Sequence, residues 1–182
     1  MKNIITIISI IFFTFCHSQN IDKLKSDNGF RDIKLGKNVN NYPDFIKKSS
    51  KNEEYFGAWG WNYDYILHQG SDSKFKKLGD SKIYRIFAKV NENIIYEISL
   101  ALDKNYDIIE MLEYAYGKPT FENNELGIKR WTTDNNIECE LQGFSTALEF
   151  SHYYITYTNT SLQSKAWNEQ REQKKKRAIS EF

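Results

Sequence analysis

Apolar and polar positions alternate most regularly between residues 84 and 102. Tyr84, Ile86, Ala88 and Val90 alternate with Arg85, Phe87 and Lys89, and Ile94, Tyr96, Ile98, Leu100 and Leu102 alternate against Glu97 and Ser99. Asn91-Glu92-Asn93 lies between the two runs, so the pattern predicts a β-hairpin. A 3.6-residue period follows. Ile108, Ile109, Leu112, Ala115 and Tyr116 form an apolar stripe, Asp107 and Glu110 have capping-box spacing, and Gly117 with Pro119 ends the helix. Three further strands are predicted at Ile128–Thr133, Ile137–Leu141 and Thr146–Tyr157, separated by Asp134-Asn135-Asn136 and Gln142-Gly143-Phe144-Ser145.

Signals before the hairpin are shorter. Phe30, Ile33 and Leu35 suggest a strand ended by Gly36, and residues 19–29 read as a polar lead-in. Asn41–Lys48 reads as a short helix: Asn40 and Asn41 can cap it, Pro43 suits its first turn, and Asp44 and the pair Lys47, Lys48 match the dipole. Leu162–Ile179 reads as a charged helix with a sparse apolar face. Short turns between strands imply antiparallel pairing. The expected fold is α+β: a single antiparallel sheet of about five to seven strands, helices packed on one face, and a charged C-terminal helix. Residues 30–160 would form the domain and 161–182 the terminal helix.

Residues 54–68 are unusual. Tyr55, Trp59, Trp61, Tyr63 and Tyr65 all fall on odd positions, and a strand would place these rings on one face. Such an array can pack as core under a helix, which is the first reading, or stack on a sugar or an extended peptide. Any ligand contact is expected to centre there.

The first residues change the setting. Lys2 precedes an apolar run from Ile4 to Phe15, too short for a membrane span and right for a signal-peptide core. Residues 1–18 are expected to be removed, with cleavage after Ser18 or, alternatively, after Gln19. Phe15 before Cys16 departs from a lipobox, so secretion is preferred to lipid anchoring, and the expected location is periplasmic or extracellular. The mature chain then keeps one cysteine, Cys139, and cannot form an internal disulfide. Twenty Lys against five Arg, with 17 Asn, suit an AT-rich bacterial genome.

Charge excludes one class of partner. The mature chain has equal numbers of acidic and basic residues, which argues against nucleic acid. Residues 165–182 carry six basic side chains interleaved with Glu169, Glu172 and Glu181, so a solvated helix face is the first reading; the alternative is contact with anionic lipid, lipopolysaccharide or an acidic partner, and any membrane contact would come through this helix alone.

Signatures of catalysis are sparse. Outside the signal the histidines are His68 and His152, with no H-E-x-x-H or paired C-x-x-C, so no metal or other cofactor is expected. Cys139 alternates with Ile137 and Leu141, away from Glu138 and Glu140, which makes it a core residue rather than a nucleophile. Gly143-Phe144-Ser145 lacks the second glycine of a nucleophile elbow. No catalytic residue is assigned.

The lead Phe30-x-x-Ile33-x-Leu35-Gly36, and Tyr116-Gly117-Lys118-Pro119 followed by Trp131 and a strand meander, resemble small exported bacterial α+β domains. These are the BamE/SmpA outer-membrane accessory proteins and the beta-lactamase-inhibitor-protein fold. The resemblance spans residues 30–158, although the linear order differs from the usual helix-first arrangement. It implies a non-catalytic binding or assembly module of the cell envelope with a protein or glycan partner. The alternative function is an envelope hydrolase acting on glycan or peptide.

Overall fold

The hairpin forms the centre of a large sheet. The computed structural model describes residues 21–52, 54, 62–68, 73–105, 107–143 and 152–180. In it, β6 (Ser81–Asn91) pairs with β7 (Ile94–Leu102) through a turn in which Glu92 and Asn93 have φ of 49° and 66°. Two successive positive φ values match the right-handed strand twist, and Asn tolerates them well. Two β-bulges interrupt the alternation. Ile83 pairs Leu102 while Arg85 pairs Ala101, leaving Tyr84 extra; Val90 pairs Ile95 while Lys89 pairs Glu97, leaving Tyr96 extra. Each extra residue reverses the phase of its strand. The core therefore receives Ile83, Ile86 and Ala88 from β6, and Ile95, Ile98, Leu100 and Leu102 from β7, but not Tyr84 or Tyr96.

The fold is α+β, with a main antiparallel sheet of nine strands rather than five to seven. The added strands are short: β3 (Phe45–Lys47), β4 (Tyr65–Leu67), β5 (Lys77–Leu78) and β8 (Phe121–Asn123). They join β9 (Ile128–Thr132), β10 (Ile137–Gln142) and β11 (Tyr153–Asn159) in the order β3-β4-β6-β7-β11-β10-β9-β8, with β5 also on β6. A separate hairpin pairs β1 (Gly29–Phe30) with β2 (Ile33–Lys34).

Two expectations before the hairpin are corrected. Asn41–Lys48 is not a helix. Val39–Asn41 makes one 3-10 turn, capped by Asn38, whose Oδ1 accepts the Asn40 N–H at 2.9 Å. Pro43 disfavours helical geometry in the residue before it, and Tyr42 sits at φ −123°, ψ 85°. Phe45 and Ile46 then alternate between two apolar faces, which is strand behaviour. Nor is the lead-in merely polar. Residues 21–27 are helical (α1), and Leu24 is completely buried. The folded unit therefore extends at least to residue 21.

The second helix, α2 (Asp107–Tyr116), forms as expected, burying Ile108, Leu112 and Tyr116. Its cap is displaced: the Asn105 Oδ1 accepts the Asp107 N–H at 3.0 Å. Gly117 (φ 81°) stops the helix, and its carbonyl accepts the Trp131 indole N–H at 2.8 Å, tying α2 to β9. α1 and α2 cover the same face of the sheet as the β1–β2 hairpin. The last helix, α3 (Thr160–Ser180), leaves β11 directly. It buries Ala166, and all its residues from 171 to 180 are exposed.

Candidate binding face

Antiparallel register aligns side chains in rows across the face opposite the core. Following the pairs strand by strand, one row reads Ile46, Ile66, Phe87, Ser99, Thr156, Glu140, Arg130, Phe121. Residues directly opposite in a sheet point the same way, so these eight share one face. A parallel row reads Lys89, Glu97, Thr158, Glu138, Thr132.

The rows change character along their length. At the β3–β6 end, Ile66 and Phe87 form a small apolar cluster with Ile46 and Tyr63. In the middle, the Ser99 and Thr156 hydroxyls bond at 2.8 Å, and Lys89 pairs with the buried Glu97 carboxylate at 2.9 Å. At the β8 end, Arg130 donates through Nε to Glu140 at 2.9 Å, lies 3.3 Å from Glu138, and sits 5.4 Å from the Phe121 ring centroid. Exposure rises in the same direction: Phe87 is 2% exposed, the Arg130 side chain 36% and Phe121 46%. Burial raises the Glu138 carboxyl above its ordinary range, and nearby Arg130 opposes that shift. The Glu140 contact holds Arg130 more firmly protonated.

Of the five aromatic residues expected to share a strand face, Tyr55, Trp59 and Trp61 lie outside the described residues. Tyr63 and Tyr65 are described, and they point to opposite faces. Tyr65 is core, packed edge-on against Phe45 with centroids 6.4 Å apart. Tyr63 stacks on Phe87 at 4.7 Å on the other face, where its hydroxyl bonds Ser99; burial raises that hydroxyl's pKa. Asp64 is the cause. Its backbone N–H bonds Ala88, while its carboxylate accepts the Val90 N–H at 2.9 Å, a place the next strand residue would take. Regular pairing therefore starts at Tyr65, and the period of two does not reach back to Tyr63.

Sequence reasoning missed Arg130, Glu138, Glu140 and Phe121. Their signal was visible as acids on alternate positions of β10, but register alone shows that Arg130 faces them. It also missed a cluster at the other end of the central strands. Tyr84 donates its hydroxyl to Asp103, meets the His152 ring edge-on at 4.9 Å, and lies under the Lys82 ammonium at 4.8 Å. The Asp103 contact raises the Tyr84 pKa. His68 is exposed after β4. Cys139 is fully buried between Trp131 and Tyr157 on neighbouring strands, as alternation predicts. Among the described residues no group of three His, Cys, Asp or Glu side chains is placed to hold a metal ion, and no helix is long and apolar enough to cross a membrane. The chain matches no protein-family model, no curated protein and no solved structure.

Proposed function

We propose that this protein is an exported, non-catalytic binding or assembly module of the bacterial cell envelope, which docks a protein or glycan partner on the β8–β10 part of the open sheet face. One observation carries the reading: the aligned row passes from buried apolar residues to an oriented pair, the half-buried Arg130 and the exposed Phe121. A guanidinium held by two carboxylates is pre-organised, so a partner does not have to order it. An aromatic ring beside it offers rigid contact area. Arg and aromatic residues are also the types that dominate binding energy at interfaces. The resemblance to BamE/SmpA-like domains supports the same class of role.

The test is capture from solubilised native envelope. Phe121→Ala with Arg130→Ala should abolish capture of a partner held by the parent protein. Tyr114→Ala, which removes an 89% exposed ring from α2, should leave capture intact. Equal losses in both, or none in either, would reject this face as the docking surface.

A further inference from the structure

We propose that the outward face of α3 docks on an anionic phospholipid surface. This inference stands apart from the β8–β10 face, because it rests on a different element. The first half of α3 is rooted in the fold. Leu162 lies near Gly36, Ala166 is fully buried, the Gln163 amide approaches Glu97 at 3.4 Å, and Asn91 on the hairpin donates to Glu169 at 2.7 Å. The second half, residues 171–180, is exposed throughout and extends for about 15 Å at 1.5 Å per residue. It holds five basic residues and one acid.

The acids of α3 keep to one side, whereas its cations lie on both. At 100° per residue, Leu162, Ala166, Glu169 and Gln173 share the side turned to the body. Glu169, Glu172 and the cation Lys176 line the groove between the helix and Glu92 at the hairpin tip. The opposite side carries Trp167, Arg171, Lys174 and Ala178, at spacings of four, three and four, with Lys175 beside them. No acid lies on that stripe. Glu172 reaches Lys175 from its flank at 2.7 Å, an exposed pair of little strength. Trp167 is 58% exposed, which is unusual for so large a ring.

This chemistry selects the occupant. A protein interface has a desolvated, largely apolar centre, and this stripe offers only one indole and one methyl group. The helix also lacks the apolar side needed to sink into a bilayer. An anionic headgroup layer needs neither: clustered cations are attracted to its surface charge, and indole rings favour the headgroup level.

The experiment is co-sedimentation of the full chain with two kinds of vesicle, phosphatidylcholine alone and phosphatidylcholine with phosphatidylglycerol. Apolar residues 4–15 would add attachment to both, so the readout is the difference between them. The parent should prefer anionic vesicles, and added salt should weaken that preference. Arg171→Gln, Lys174→Gln and Lys175→Gln together should reduce it at least about tenfold. The same loss of charge at Lys23, Lys37 and Lys104 should leave most of it. Brominated anionic lipid should quench tryptophan emission in the parent but much less in Trp167→Phe. An unchanged preference in the α3 triple variant would overturn the proposal, as would equal binding to both vesicles. Self-association abolished by the α3 changes, without vesicle preference, would also overturn it and assign the face to a second copy.

Discussion

Tyr63 and Tyr65 show how one side chain redirects another. A period of two puts Tyr63 and Tyr65 on one face, but Asp64 captures the Val90 amide, and Tyr63 stacks on Phe87 on the opposite face while Tyr65 joins the core. No periodicity argument anticipates that, because the bond joins residues 26 apart. Cys139 is the contrasting case: alternation within one strand was enough to place it. Burial also raises its thiol pKa strongly. A thiol reagent should therefore label Cys139 only as fast as the protein opens, and denaturant should accelerate labelling. Cys139→Ser should cost about 1 kcal/mol in a denaturant titration, since the Tyr157 hydroxyl can still partner the new group. The tyrosines predict an alkaline limit. Burial, reinforced by the nearby Glu97 and Asp64 carboxylates, raises Tyr96 from 10.0 to about 12, and burial also raises the Tyr116 and Tyr157 hydroxyls well above their ordinary range. An unfolded chain releases these protons first. Stability from these groups should hold below pH 10 and fall as pH rises towards 12, seen as a declining urea midpoint. Tyr96→Phe should reduce the decline; an unchanged midpoint through pH 12 in the parent would contradict it.

At the scale of elements, legibility followed length. β6, β7, β9, β10 and α2 run for five residues or more, so their periods show. β3, β4, β5 and β8 have two or three residues each, too few for any period, and partners remote in sequence define them. The same reason hid the candidate face: Glu138 and Glu140 were readable as polar positions, but Arg130 and Phe121 join them only through register. Favourable caps and dipole charges were misleading at Asn41–Lys48, because local propensity lost to pairing with β4. The β1–β2 hairpin offers a sharp local test. Gly29 sits at φ 141°, and a Cβ there would lie 2.3 Å from the Ile33 carbonyl oxygen. Gly29→Ala should destabilise by about 1–3 kcal/mol in thermal or denaturant unfolding, whereas strand residues on the solvent side should tolerate change. A neutral result would mean the hairpin shifts freely, contrary to its packing against the core.

Across the whole molecule, the proposal of export makes a prediction of its own. Intact-mass measurement on protein from its native source should find a chain starting at Gln19 or Asn20; a start at Met1, or a diacylglyceryl mass on Cys16, would refute it. The sheet order carries a further consequence. β11 is the last strand in the chain, yet it lies between β7 and β10, and Ser99 meets Thr156 across 57 residues. Any chain delivered N-terminus first must keep β7 waiting with an open edge until residues 153–159 arrive. Until then the β3–β7 half and the β8–β10 meander are separate pieces, each presenting backbone groups that invite mispairing. Assembly is thus a closing step, in which the final strand fastens two halves that cannot meet without it. The nine strands should accordingly melt in one transition, and neither half should persist as a folded fragment.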